Sequence, residues 1–303
     1  MRALVTGGSG FIGSHVVDKL RERGMTARVF DMVYPTFRND IEFYHGSILD
    51  LESVRMALNN VDAVFHLAAI ADVKDVYEEP YYSEAINVRG TMNVLEAMRR
   101  TGVKRLIYGS TIWVYGDIIA EVVDETTPLR PPSHLYTATK LASEYYCQAY
   151  AKLYDLEVTI LRYGIPYGPR ARAGAVIPTF VEKALRGEPL TITGDGSQYR
   201  RFIYVEDLAE GNALALKPIA RNKIYNLDGK ERVRIHRIVE TIQKILGNVE
   251  IQYVPPRPGD FSGKEVSSRK ALEELGWEPK VSFEEGLRRY IKWYKEEKNK
   301  VAF

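Results

Sequence analysis

Apolar and polar positions alternate along this chain in two regimes. Short β-branched or apolar runs at residues 3–5, 27–30, 41–44, 63–67, 105–108 and 158–161 predict strands. Longer segments with helical periodicity, near residues 10–23, 51–59, 82–100 and 133–154, predict the helices between them. Strands alternating with helices signal βα units, so the fold class is α/β: a doubly wound parallel sheet. After Arg162 glycine and proline recur more often, helices shorten, and strands near residues 190–192, 224–227 and 251–254 stand apart. That change predicts a smaller, mixed α/β C-terminal lobe, with domains at 1–165 and 166–303 and some chain crossing back. A last helix is announced by Ser282 with Glu285 three residues on, a capping box, followed by Phe283, Leu287, Tyr290, Ile291 and Tyr294 at helical spacing. The charged end, residues 295–300, reads as a solvated last turn.

Composition narrows the class. A chain of 303 residues has room for about two domains and buries a core without staples. With 45% hydrophobic and 27% charged residues it argues against disordered, collagenous and coiled-coil proteins. Forty-two basic and 40 acidic residues nearly cancel to +2, so no global field draws in nucleic acid or an anionic membrane. Cys147 stands alone, and the five histidines (His15, His45, His66, His134, His236) are scattered, which predicts neither disulfide nor metal site. There is no leader-like N-terminus and no apolar run of about 18 residues, so the expected location is the cytoplasm.

The strongest local motif is Gly7-x-x-Gly10-x-x-Gly13, which follows the first predicted strand and opens the first predicted helix. Glycine is needed where the chain turns sharply and where backbone approaches a pyrophosphate, and the helix N-terminus then offers free amides. Asp31, at the end of the second strand, is placed to accept hydrogen bonds from an adenosine ribose and would repel a 2′-phosphate. NAD is therefore favoured over NADP. Tyr136 and Lys140 stand four apart in a predicted helix, so they share a face. An ammonium beside the phenol favours the phenolate, which predicts a lowered tyrosine pKa and a general base. Gly109-Ser110-Thr111 ends a predicted strand at the carboxyl edge of the sheet, where Thr111 can bond a substrate oxygen.

Together these segments resemble the extended short-chain dehydrogenase/reductases of the nucleotide-sugar epimerase and dehydratase branch, most of all the UDP-glucose (UDP-galactose) 4-epimerases. The similarity covers nearly the whole length. It is carried by residues 6–13, His66-Leu67-Ala68-Ala69, residues 87–91 and 110–116, Tyr136 with Lys140, Leu161-Arg162-Tyr163, and, further on, residues 194–196, 200–205, 257–260 and 275–277. The resemblance implies that Gly7, Gly10, Phe11 and Ile12 hold the pyrophosphate of NAD and Asp31 its ribose. Ser47 and Ile48 fall where the family lays Asp-Ile against adenine. Leu67, Ala68 and Ala69 line the cofactor path, Asn87 stands behind it, and Lys140 binds the nicotinamide ribose. Thr111 and Tyr136 match the catalytic pair. Arg200 and Arg257 match arginines that clamp the diphosphate of a UDP-sugar, Asp260 lies near the uridine ribose, and Val176 borders the base pocket. A homodimer is implied as well.

The same resemblance bears on the reaction. Dehydratases follow their Ser-Thr with Asp-Glu, and decarboxylases carry a glutamate at the second of those places; this chain has Ile112 and Trp113, neither able to exchange protons with substrate. Cys147, about two turns beyond Lys140, reads as a core residue rather than the acid of a 3,5-epimerase. NAD-dependent 4-epimerisation of a UDP-sugar through a 4-keto intermediate is the leading expectation. Departures from the galactose enzymes are Gly164 and Ile165 for Phe-Asn, Arg201 for aspartate, and the large Trp113. Arg170 and Arg172 fit either a sugar carboxylate, as in uronate 4-epimerases, or solvent. The other readings are a nucleotide-sugar dehydratase, decarboxylase or reductase, and a non-catalytic NAD-binding sensor.

Overall fold

The computed structural model describes residues 1–116, 118–255 and 265–301. Strand β1 (Arg2–Thr6) turns into α1 (Phe11–Glu22), followed by β2 (Thr26–Asp31), β3 (Glu42–His45), α2 (Leu51–Ala57) and β4 (Ala63–His66). Short helices α3 (Val73–Glu78) and α4 (Pro80–Glu84) lead through a π-helical turn at Ala85–Arg89 into α5 (Gly90–Thr101). Next come β5 (Arg105–Thr111), a 3-10 turn at Ile112–Tyr115, β6 (Val122–Val123), α6 (Leu135–Tyr154) and β7 (Glu157–Tyr163). The rest of the chain runs β8 (Ile165–Tyr167), α7 (Val176–Leu185), β9 (Leu190–Thr193), β10 (Tyr199–Tyr204), α8 (Val205–Leu214) and β11 (Lys223–Leu227). It ends with β12 (Arg232–Arg234), α9 (Ile235–Leu246), β13 (Ile251–Val254), β14 (Glu265–Val266) and α10 (Phe283–Val301).

Seven strands form one parallel sheet in the order β11-β7-β5-β4-β1-β2-β3. This is the predicted Rossmann-type sheet, with the chain winding outward in opposite directions from the β1/β4 boundary. Successive side chains of β1 point to opposite faces and seed two cores. Ala3 and Val5 pack with Val16, Val17 and Leu20 of α1 and Leu208 of α8, whereas Leu4 packs with Val54 of α2 and Val94 and Leu95 of α5. Cys147 lies fully buried in the second of these cores. A third core joins α7, β9, α9 and α10 through Phe180, Leu190, Ile238, Leu287 and Tyr290.

Two elements differ from the sequence pattern. Residues 224–227 do not stand apart; as β11 they pair in parallel with β7 at the edge of the large sheet. A short apolar strand carries no record of its partner, and this pairing spans the intervening 60 or so residues as the chain returns through α8, which packs on α1. The helix expected over residues 82–100 is real but broken by the π-turn. An inserted residue in such a turn re-aims its side chains, and Asn87 sits in it. At the other end, the Glu285 amide donates to Ser282 Oγ at 3.3 Å, one half of the capping box; the Glu285 carboxylate instead takes Arg289 at 2.8 Å.

Candidate active site

In an open α/β sheet ligands settle outside the carboxyl ends of the strands where the winding reverses. Here that crevice lies between β1 and β4, and the glycine turn meets residues 67–68 across it. Gly7 has φ +70°, and a Cβ there would fall 2.7 Å from the Ala68 nitrogen; one on Gly13 would fall 2.1 Å from the Gly7 carbonyl oxygen. These two glycines let the turn, strand and helix close on one another. Gly10 differs, for a Cβ on it would approach only the Gly7 oxygen, at 3.2 Å. It opens α1 in extended conformation without a side-chain cap, so the first-turn amides near Phe11 and Ile12 face the crevice. Asp31 is pinned at the rim by the amides of Ser9 (3.0 Å) and Val33 (3.2 Å). A pyrophosphate and ribose fit this cradle.

The remaining candidates for the cofactor surround the same crevice. Leu67, Ala68 and Ala69 are partly exposed at the end of β4. Beneath them buried His66 shares hydrogen bonds with Thr6 (2.7 Å) and Thr91 (2.9 Å), and burial with the Lys140 charge lowers its pKa to about 3. It is a neutral clamp. Asn87 donates to the Ile70 carbonyl (3.0 Å) and to Thr139 (3.0 Å) and accepts from the Ile70 amide (2.8 Å), locking the loop after β4 to α6. Ser47 closes its own turn by accepting from the Leu49 amide, and the Ile48 side chain is buried against Gly90.

Thr111 ends β5 and Tyr136 opens the first turn of α6, with the Thr111 hydroxyl near enough to the phenol to favour its ionisation. Thr111 Oγ1 also accepts from the Trp113 amide at 3.2 Å. The expected lowering of the phenol by Lys140 is corrected by the structure. Burial dominates and raises the Tyr136 pKa to about 12, opposed by the Arg172 charge and the Thr111 hydrogen bond. Lys140, one turn on, is buried with its ammonium 4.3 Å from the Tyr108 ring centroid, and burial lowers its pKa to about 8.

The next turn of α6 carries a residue that the sequence reading missed. Glu144 is fully buried and takes Arg162 of β7 in a bidentate pair (3.0 and 2.7 Å) while accepting from Ser110 at 2.5 Å. Arg162 also donates to the Tyr115 hydroxyl (2.6 Å), which donates to Asn226 (3.0 Å). This chain of bonds ties α6 to β5, β7 and β11 directly behind Thr111. Its signal was available: Tyr136, Lys140 and Glu144 recur every fourth residue on one helix face.

On the second lobe Val176 is the exposed first residue of α7, and Arg200 in β10 donates to the Tyr199 carbonyl at 2.9 Å. Arg257 and Asp260 lie outside the described residues. Arg201 bonds the Gly229 carbonyl (2.8 Å) and faces Asp228 (3.4 Å) and Glu265 (3.6 Å). Gly164 makes room for Asp228, whose Oδ1 would lie 2.4 Å from a Cβ there. Two of the departures, Gly164 and Arg201, thus answer one buried carboxylate. Arg170 turns away to His15 and Asp18 (2.7 Å), and Arg172 pairs with Asp72 at 2.7 Å.

With this geometry established, comparison with known proteins places the chain. The model of the NAD dependent epimerase/dehydratase family matches residues 3–228. The structure of UDP-glucose 4-epimerase with UDP-glucose from Thermotoga maritima superposes with a TM-score of 0.92 at 36% identity, covering 98% of this chain and 99% of that one. The Thermus thermophilus UDP-glucose 4-epimerase complex with NAD gives 0.88 at 36% identity, over 97% and 99%. A UDP-glucuronate 4-epimerase of Thermodesulfobacterium geofontis is 32% identical, over 97% of this chain and 96% of its own length. The cradle, the Thr111 and Tyr136 hydroxyls and the sheet that carries them belong to a member of the NAD dependent epimerase/dehydratase family, and its cofactor is NAD.

Proposed function

We propose that the protein is a UDP-sugar 4-epimerase acting between UDP-glucose and UDP-galactose. The observation that carries this reading is the Thr111–Tyr136 hydroxyl pair at the carboxyl edge of the sheet, followed by Ile112 and Trp113 rather than proton-transferring groups. Bound NAD would supply the hydride acceptor and donor, and the positive charge of its oxidised ring would favour the Tyr136 phenolate that burial opposes. Tyr136 removes the proton of the sugar 4-hydroxyl as C4 becomes a ketone, and returns it after the ring has presented its other face. Thr111 bonds the same oxygen and steadies the phenolate. Lys140 places a positive charge one turn below, near the expected ribose position. Trp113 packs edge-on against His134 (5.8 Å between centroids), and its indole cannot supply the acid or base that elimination of water or carbon dioxide would need at that position.

The two arginines after residues 167–169 support a neutral hexose. Both Arg170 and Arg172 already have carboxylate partners, Asp18 and Asp72. The test is to incubate the protein with UDP-glucose or UDP-glucuronate and follow the C4 proton by NMR. The reading expects UDP-galactose from UDP-glucose, without loss of water or carbon dioxide. Tyr136→Phe is expected to keep NAD bound while turnover drops by roughly 10²- to 10⁴-fold, the usual contribution of a positioned base. Full activity of that variant overturns the base assignment.

A further inference from the structure

The first turn of α6 starts without a side-chain cap from His134, so its backbone is held by other means. Thr139 supplies one. Its hydroxyl donates to the Tyr136 carbonyl at 2.8 Å and accepts from Asn87 Nδ2 at 3.0 Å. An amide nitrogen can only donate, so the threonine proton has a single direction, toward Tyr136. Asn87 is committed at its other end too, for the same side chain donates to the Ile70 carbonyl (3.0 Å) and accepts from the Ile70 amide (2.8 Å). The Asn87 carbonyl, in the π-turn, accepts from Thr91 (2.6 Å) and Ser143 (2.7 Å), which holds the bracket itself against α5 and α6. Asn87, Thr91, Thr139 and Ser143 are all buried.

We propose that Thr139 is a positioning residue for Tyr136: its hydroxyl carries the hold of Asn87 onto the backbone of that tyrosine and fixes its distance from the loop after β4. The inference rests on the reading of Tyr136 as the base at C4. Ile70 directly follows residues 67–69, which border the crevice assigned to NAD. The sugar gives up its hydride toward that crevice and its hydroxyl proton to Tyr136, so the reaction feels any change in the spacing of the two protein segments. A hydroxyl bonded to the carbonyl one turn back is common in helices and is by itself a local contact. The second bond, from Asn87, turns that contact into a link between segments distant in sequence.

Thr139→Val is the direct test, because valine keeps the branched shape and removes the hydroxyl. With UDP-glucose, kcat is expected to fall about ten- to a hundredfold, the scale of a misplacement of about 1 Å, while KM stays within about twofold. Thr139→Ser keeps the hydroxyl and should stay within about threefold of the parent; Thr139→Ala should repeat the valine result if valine prevents folding. A loss of folded protein would lower kcat and leave the isotope effect alone. A displaced Tyr136 slows bond breaking at C4, so the primary kinetic isotope effect with C4-deuterated UDP-glucose should rise in Thr139→Val. Without any turnover, hydrogen exchange at the Ala138 and Lys140 amides, bonded to His134 and Tyr136, should speed up about tenfold relative to the last turns of α6. Asn87→Ala should speed the same amides, and combining it with Thr139→Val should add little. A Thr139→Val kcat within about twofold of the parent beside an inactive Tyr136→Phe, an unchanged isotope effect, or no rescue by serine overturns this proposal alone. An active Tyr136→Phe overturns the base assignment, and the proposal with it.

Discussion

Lys140 is the residue whose environment most resists a purely structural explanation. An ammonium in a nearly closed site, with a tyrosine ring as its neighbour, destabilises the fold while charged; burial lowers its pKa from 10.5 to about 8. The sign follows from proton counting. Between about 8 and 10.5 the unfolded chain binds more protons, so stability rises with pH through that window, and the cost is complete below 8. Lys140→Met is therefore expected to raise the melting temperature at pH 7 while abolishing turnover, with little stabilisation left at pH 10.5; differential scanning fluorimetry beside the C4-proton assay checks both. A lower melting temperature at pH 7 would show the ammonium to be stabilising. Tyr136 illustrates the same competition, for at the distance imposed by the fold burial outweighs every favourable charge near the phenol.

Among the elements, α6 does the most for the site, since one face of its first turns presents Tyr136, Lys140 and Glu144 in register. The Glu144–Arg162 pair fixes that register against β7, with Ser110 and Tyr115 satisfying the remaining atoms. Breaking a buried pair from one side strands the other charge, so Glu144→Gln should destabilise by about 3 kcal/mol or more in denaturant titration. Because Ser110 borders Thr111, the same change should lower kcat. A loss below 1 kcal/mol would show that the pair is not what holds the helix. The π-turn at Ala85–Arg89 acts similarly, turning Asn87 into a bracket between the loop after β4 and α6.

For the molecule as a whole, the junction of the large sheet with the second lobe passes through Asp228. Its carboxylate is buried beside Gly164 and Arg201, and burial, only partly offset by Arg201, raises its pKa to about 7. The native state then binds more protons than the unfolded chain between about 4 and 7, so stability is highest below that window and falls as pH rises to 7. His66 and His15, both lowered by burial, to about 3 and about 4, act oppositely and cost stability as pH falls below 6.5. Asp228→Asn keeps a side-chain acceptor for the Gly229 amide and should reduce the loss of melting temperature between pH 5 and pH 8 relative to the parent. An unchanged loss would place that pH dependence elsewhere.

Much of this was legible in the amino-acid order because it depends on neighbours in sequence. The βα alternation, the glycine turn before α1, Asp31 at the end of β2 and the four-residue spacing of Tyr136 and Lys140 are local patterns, and local sterics and periodicity suffice to read them. What folding alone decided are contacts between distant segments. They include β11 joining β7, Arg162 reaching Glu144, Asp228 answering Gly164 and Arg201, and Asp72 claiming Arg172. The phenol's charge balance belongs here too. A pKa is set by solvent exclusion and by charges brought close in space, and neither quantity exists until the chain has packed.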